Sequence, residues 1–576
     1  MSDDRDILRG EKMDQKIENQ LNLALSLSEE ERAQTNDLNT GFDEDTRTWE
    51  LIIRYCGDIE TAARSVGASL KILSGGYAIA YVKEERIEDF SRLMEVIYIE
   101  KPKKLFFELD YSVDISCIDS VQRGSRGLSG EGTIVAVIDS GIDYAHPDFI
   151  NEDGTTRIIE IFDEMTDKVY DRDVINEALG KSGRQERMEL VPVTDVSGHG
   201  THVAGIAAGN GRASNGRYRG VAYGAELLIV KLGDDEYFST ARLMEAVDYV
   251  IRKAAALGKP IAINLSFGNN YGSHTGNSLL ETYLNYAAEM WKNVISVGSG
   301  NEAAKGVHVS GILSQQTVTE ELVIGQFEPS LDVQLWKSYS DDFLVTLIAP
   351  DGRRIGPIYN ENGILHYFAG DTKIYVYYGE SAPYTTSQEI FIQIVADRNG
   401  DYITPGIWRL ELQPMHIRDG RYDMWLPAGN FVSTDTRFSR TVPDVTLTIP
   451  STAYKVITVG AYDARLQAYA DFSGRGYTRN LLTIKPDLVA PGVGITAPAP
   501  GGGYTARTGT SMATPFVTGS AALLMQWGII NGNDAYLYGE KVKAYLIRGA
   551  RPLPGEELPS KKIGWGALCL RNSIPV

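Results

Sequence analysis

Residues 133–143 read Thr-Ile-Val-Ala-Val-Ile-Asp-Ser-Gly-Ile-Asp. An almost unbroken apolar run of this length predicts a strand buried on both faces, which places it in a parallel sheet covered by helices. The run closes on Asp139, so a carboxylate stands at the C-terminal end of that strand. That is the edge where open α/β sheets gather their catalytic groups. Taken alone, Asp139 also fits a turn-forming aspartate ahead of Gly141.

Two further segments shift the balance. Residues 197–209, Ser-Gly-His-Gly-Thr-His-Val-Ala-Gly-Ile-Ala-Ala-Gly, set His199 between two glycines at the start of a small-residue helix. Residues 509–515, Gly-Thr-Ser-Met-Ala-Thr-Pro, put Ser511 where a glycine-bearing loop meets another apolar, small-residue helix. Backbone N–H groups at a helix start are unpaired and carry partial positive charge, so they suit an oxyanion formed beside them. Gly509 admits a substrate backbone, and Pro515 needs no N–H in the first turn. Each residue has a plain structural alternative: Ser511 as an N-cap, and His199 as a satisfied side chain. Together they supply what a weak hydroxyl nucleophile requires, a base to take its proton and an acid to hold that base in one tautomer.

Asp139, His199 and Ser511, in that order and in these local contexts, resemble the subtilisin-like serine proteases (subtilases, peptidase family S8). The resemblance implies that Asp139 orients, His199 is general base and then acid, and Ser511 is the acylated nucleophile. It assigns the base to the first of the two histidines, leaving His202 as the competitor. Residues 293–301, Asn-Val-Ile-Ser-Val-Gly-Ser-Gly-Asn, look like the strand that ends in the family's oxyanion-hole asparagine. Asn301 and Ser511 would then form the oxyanion hole. Residues 263–268, Ile-Asn-Leu-Ser-Phe-Gly, resemble the strand lining the substrate cleft. Peptides would pair along Leu265, Ser266, Phe267 and Gly268, with Gly298, Ser299 and Gly300 across from them. Asn269, Asn270, Tyr271 and Gly272 are expected by the pocket for the residue before the scissile bond. The segment from Asp487 to Gly492 matches a family loop and reads as structural.

The organisation follows from period changes along the 576 residues. Residues 1–45 are polar and read as a weakly ordered lead-in with one short helical pattern near Leu21. Residues 46–110 carry a β-α-β-β-α-β order, that of a small ferredoxin-like domain. In subtilases this resembles the prodomain that assists folding and inhibits the enzyme. Its last strand would lead toward the cleft, with self-cleavage near residues 106–117. Residues 111–307 and 449–576 read as the two parts of a doubly wound α/β catalytic domain with a parallel sheet. Between them, residues 308–448 alternate with period two between turn clusters and read as an inserted β-sandwich or jelly roll. Whether that insert binds a ligand stays open at this level.

Composition narrows partners and compartment. A net charge of −20 and 43% apolar residues fit a soluble globular protein and argue against nonspecific nucleic-acid or anionic-membrane binding. No window reads as a membrane span and no apolar leader follows the N-terminus, so a cytoplasmic location is expected. Three cysteines, Cys56, Cys117 and Cys569, predict no disulfide framework and read as small buried hydrophobes. The loop 210–219 holds three arginines and no carboxylate, so calcium is not expected there, and no cofactor is expected elsewhere.

A prodomain without a leader, together with an insert ahead of the nucleophile, resembles the Csp-type germination proteases of spore-forming clostridia. That resemblance implies a spore-associated protein and limited proteolysis of a cortex-lytic pro-enzyme during germination. Its partners would be a protein substrate and its own prodomain; a prodomain that stayed docked after the cut would keep Ser511 occluded. A cytoplasmic subtilase with another regulatory substrate, and a pseudoprotease acting as a binding or sensor protein, remain the alternatives.

Overall fold

The computed structural model describes residues 15–35, 37–107, 116–122, 127–233, 237–360, 364–398, 400–429, 432–481 and 483–575. The chain divides into two compact units, one built from residues 1–104, 269–279 and 305–443, the other from 105–268, 280–304 and 444–576.

The second unit carries the sheet that the strand 133–139 demands. Its order from edge to edge is Ala468–Tyr469, Ile457–Asp463, Asn293–Gly298, Ile261–Leu265, Ile134–Asp139, Glu226–Lys231, Ile158–Asp163 and Lys168–Asp171, with Leu488–Pro491 also pairing Ile457–Asp463. The six strands from Ile457–Asp463 through Ile158–Asp163 are parallel neighbours. All six residues of Ile134–Asp139 are buried, as a strand covered on both faces requires. Strand order reverses at Ile134–Asp139, because later strands are added on both of its sides. The crevice at such a switch point is where open α/β sheets place their ligands.

Helix Thr510–Met525 continues as a π-helical turn over Gln526–Ile530. By length and composition this helix could cross a membrane, contrary to the expectation that no window would. It is instead a core element: every residue from Thr510 to Met525 is buried, most of them packed in the apolar core around the sheet. Gly519 allows close packing there, since a Cβ would lie 2.5 Å from that of Val221.

In the first unit, strands Thr48–Tyr55, Ser69–Leu73, Tyr77–Lys83 and Val96–Glu100 form an antiparallel sheet. With the strands numbered along the chain, their order is four, one, three, two, that of a split βαβ unit. The second helix of that order is short, a 3₁₀ turn at Glu84–Arg86 followed by Ile87–Ser91. The expected weakly ordered lead-in is corrected. Residues 15–45 are folded, with helices Asn19–Ser26 and Glu29–Ala33 and fully buried Leu21 and Leu23. Their apolar side chains join the prodomain-like core and also meet Tyr375, Tyr377 and Phe391 of the insert. Isolated helices this short are marginal in water, so tertiary burial decides, and local pattern could not show it.

Residues 308–438 form two antiparallel sheets. One orders His308–Ile312, Arg421–Trp425, Ser330–Ser338, Ser387–Ala396, Thr372–Tyr378 and Ile364–Phe368; the other orders Arg354–Ile358, Asp342–Ile348, Gly406–His416, Val318–Ile324 and Arg437–Phe438. Apolar side chains from both sheets fill one core, the arrangement of a sandwich.

Two cysteine expectations also fail. Cys117 and Cys569 form a disulfide across 452 residues of sequence, and Cys56 is exposed. Spacing in sequence gives no hint of a pair brought together by the fold.

Candidate active site

Asp139 ends its strand, and His199 opens helix His199–Ala208. His199 Nδ1 lies 2.7 Å from Asp139 Oδ1 with both side chains buried. A carboxylate at this nitrogen fixes the tautomer that leaves Nε2 as the base. Asp139 Oδ1 also accepts the Ser140 N–H at 2.8 Å. Gly200 makes this approach possible: a Cβ there would sit 2.2 Å from the Gly141 carbonyl oxygen.

The start of the histidine helix is built by residues that sequence reasoning passed over. Asp195 Oδ1 accepts the Gly198 N–H at 2.9 Å and Oδ2 the Thr201 N–H at 2.7 Å. A carboxylate on the unpaired donors of a helix start is favourable. Ser140 Oγ donates to Asp195 at 2.7 Å and accepts the Gly200 N–H at 3.0 Å, tying the aspartate strand to the histidine helix. Asp195 lies three residues before the Gly198 N-cap, so no capping pattern in the sequence marks it.

His202 is excluded as the base by its partners. Its Nε2–H faces the carbonyls of Ile495 at 3.0 Å and Thr505 at 3.2 Å. Burial first, then the charges of Arg507 and His199, push it down to about 3. It is a neutral anchor for the hairpin Ile495–Ala499 and Gly503–Arg507.

Ser511 is the second residue of its helix, so its N–H falls among the donors without an intrahelical partner. Its Oγ donates to the Ser266 carbonyl at 3.0 Å. Strand Ile261–Leu265 runs in register with Ile134–Asp139, Leu265 opposite Ile138. Ser266 therefore follows level with Asp139, about one strand spacing away, and the three candidate catalytic residues share one sheet edge.

Asn301 follows strand Asn293–Gly298. Its Oδ1 accepts the Thr510 N–H at 3.1 Å and the Thr510 hydroxyl at 3.3 Å. An N–H can only donate, so the amide oxygen is the atom facing the helix start and the NH₂ points elsewhere. Thr510 Oγ1 accepts the Gly300 N–H at 3.2 Å. Thr510 thus orients the oxyanion candidate, a role its place beside Ser511 did not reveal. Gly300 has φ of +98° and no room for a Cβ beside Thr448.

Leu265–Gly268 and Gly298–Gly300 sit at the ends of adjacent parallel strands. Ser299 is turned to structure: its N–H donates to Val459 O at 2.9 Å and its carbonyl accepts from Thr448 at 3.1 Å. Phe267 and Gly268 pair antiparallel with Phe107 and Phe106, and the strand Lys104–Phe107 is also flanked by Tyr237–Ser239. The expected cleavage region 106–117 lies mostly at residues 108–115, outside the described residues.

Asn269–Gly272, expected beside a specificity pocket, belong to the first unit. There Asn270 donates to Leu426 O at 3.0 Å, the Tyr271 hydroxyl to Asp332 at 3.0 Å, and the Gly272 N–H to Gln334 at 3.0 Å. Asp487 is buried between Lys485 at 2.7 Å and Lys543 at 2.9 Å. Burial raises its carboxyl, but the two ammonium groups together hold it below the usual range.

A family model described as the subtilase family matches residues 130–382 and 426–566. The chain belongs to the subtilase family. A second family model, the Csp protease B prodomain, matches residues 15–103, which places the start of that domain well before residue 46. The solved structure of the Clostridium perfringens CspB protease superposes with a TM-score of 0.75 and 38% identity, over 80% of this chain and 95% of that one. The minor extracellular protease Vpr of Bacillus subtilis is 26% identical over 78% of this chain and 52% of Vpr. A PIII-type proteinase of Lactococcus lactis subsp. cremoris is 24% identical over 86% of this chain, which spans only 27% of that proteinase.

Proposed function

We propose that this subtilase is a serine endopeptidase that cuts its own prodomain and then a protein substrate through an acyl-enzyme. The observation that carries the reading is the backbone pairing of Phe106 and Phe107 with Gly268 and Phe267. An extended peptide bound for cleavage adds to an edge in this way. The strand runs from Gly268 toward Ser266, whose carbonyl holds the Ser511 hydroxyl.

In the proposed reaction, Ser511 turns from the Ser266 carbonyl to His199 Nε2, and His199 takes its proton as Oγ attacks the scissile carbonyl. Asp139 steadies the resulting imidazolium. The Asn301 NH₂ and the Ser511 N–H receive the oxyanion. His199 returns the proton to the leaving amine, and water then resolves the ester.

Likeness to the CspB protease supports a germination role: limited proteolysis of a cortex-lytic pro-enzyme by a spore-associated or cytoplasmic protein, with no cofactor and no calcium in the loop 210–219. The second reading is a pseudoprotease that works as a binding protein. Labelling by a fluorophosphonate decides between them. Stoichiometric phosphonylation of Ser511, absent from His199→Gln, supports the protease; an unlabelled folded protein refutes it.

A further inference from the structure

The first unit holds a cluster of buried polar groups that proteolysis does not use. Glu18, Glu100 and Glu389 line a cleft with a cavity of about 70 Å³. Lys103 Nζ reaches Glu18 Oε1 at 2.7 Å and Glu100 Oε1 at 2.9 Å. The second oxygens of these two carboxylates accept the N–H groups of Lys101 and Leu279, each at 3.1 Å. Two carboxylates therefore share one cation and are fully bonded.

Glu389 has no such partner. It is 4% exposed, its Oε2 accepts from the Asn19 amide at 3.5 Å, the Gln20 side chain also bonds the carboxyl, and Oε1 has no partner within hydrogen-bond geometry among the described residues. Gln20, 2% exposed, and Tyr384 face the same cleft with Oε1 and Oη also buried and unpartnered among the described residues. Leaving a buried polar group unpaired is costly, so three on one cleft call for a donor. Glu389 Oε1 and Gln20 Oε1 can only accept. Aromatic faces complete the wall: Tyr98 stands edge-on to Tyr384 with ring centroids 5.7 Å apart, and Trp336 lines the cleft with them. Acceptors, excess negative charge and aromatic rings in one narrow space match a cation that carries N–H donors.

We propose that this cleft binds a small organic cation, an ammonium or guanidinium, that donates to Glu389 and Gln20 against the rings of Tyr98, Tyr384 and Trp336. Burial, and next the charge of Glu18, push the Glu389 carboxyl up to about 8, against the pull of Asn19, Lys103 and Gln20. Tyr98, Tyr271, Glu100 and Glu380 are the other titratable groups on the cleft. None of these supplies the missing cation. The neutral form of Glu389 prevails below about 8, so cation binding releases a proton and tightens as pH rises through that value.

Calorimetric titration of the full-length protein with methylguanidinium chloride and with ethylammonium chloride tests this, with tetramethylammonium chloride as a cation lacking donors. Saturable binding of one of the first two is expected, tighter at about pH 9 than at about pH 7 and weakened roughly tenfold or more in Glu389→Gln. Tyr384→Phe, which removes only the unpartnered hydroxyl, is expected to weaken binding as well. The proposal is overturned if neither donor-bearing cation saturates, if tetramethylammonium binds as well, or if both variants bind like the wild type.

Discussion

Asn301→Asp separates two jobs that Asn301 holds at once. Its Oδ1 bonds the N–H and hydroxyl of Thr510 at 3.1 and 3.3 Å, and its NH₂ is assigned to the oxyanion. Aspartate keeps the acceptor and replaces the donor with negative charge. Losing one oxyanion donor costs about 2.7–4 kcal/mol in a related subtilase, roughly 10²–10³-fold in rate, and the added repulsion takes Asn301→Asp to the upper end or beyond. Asn301→Ala loses the donor and both Thr510 bonds, which adds about 1–3 kcal/mol of lost stability. The proposed self-cleavage is intramolecular, so its first-order rate after refolding, followed by intact mass, would read the chemical step directly. Both variants are expected to slow it about 10²-fold or more, with the melting temperature held in Asn301→Asp and lowered in Asn301→Ala. If Asn301→Asp cuts within about threefold of the wild type, Asn301 only braces Thr510 and the oxyanion assignment is wrong.

Other outcomes follow from single contacts. His202→Gln should lower the melting temperature by losing the two carbonyl bonds, about 1–3 kcal/mol, while folded protein still labels with fluorophosphonate; His199→Gln should abolish labelling without comparable destabilisation. Burial, then the charge of Asp37, raise the Asp332 carboxyl to about 7 from 3.8. The folded state therefore holds the extra proton between those values, and this group's contribution to stability falls as pH rises through them. Asp332→Asn, still able to accept from Tyr271, should flatten that slope in a series of melting temperatures and gain most at the alkaline end. Asp487→Ala strands Lys485 and Lys543 and should cost several kcal/mol, about 3–5 for a broken buried pair, seen as a lower denaturant midpoint. Mass spectrometry of the metal content should find no stoichiometric calcium; one calcium per chain, lost on changing residues of loop 210–219, would contradict the proposal for that loop.

The legible parts of this chain are those where chemistry and local pattern coincide. The apolar run ending in Asp139 became a central strand at the switch point, and Gly200 beside His199 became the close approach to Gly141. Asn301 fell at the end of its strand as its sequence context implied. What stayed hidden depends on distant partners. Helices at 19–33 exist because Leu21 and Leu23 are buried by other segments. Cys117 and Cys569 meet only in the folded chain. Asn270, Tyr271 and Gly272 follow the cleft strand by a few residues, yet their partners are Leu426, Asp332 and Gln334, far along the sequence. Ser140, Asp195 and Thr510 bear no signature of their own, because their roles lie in hydrogen bonds to backbone donors beside the catalytic candidates.

The central claim is that Ser511, served by His199 and Asp139, cuts the chain's own peptide bond. The intact mass of the recombinant wild type beside Ser511→Ala tests it most directly. The account predicts two fragments from the wild type, divided within residues 106–117, and one unbroken chain from the variant. A wild type that stays whole, or a Ser511→Ala chain cut at the same bond, contradicts it.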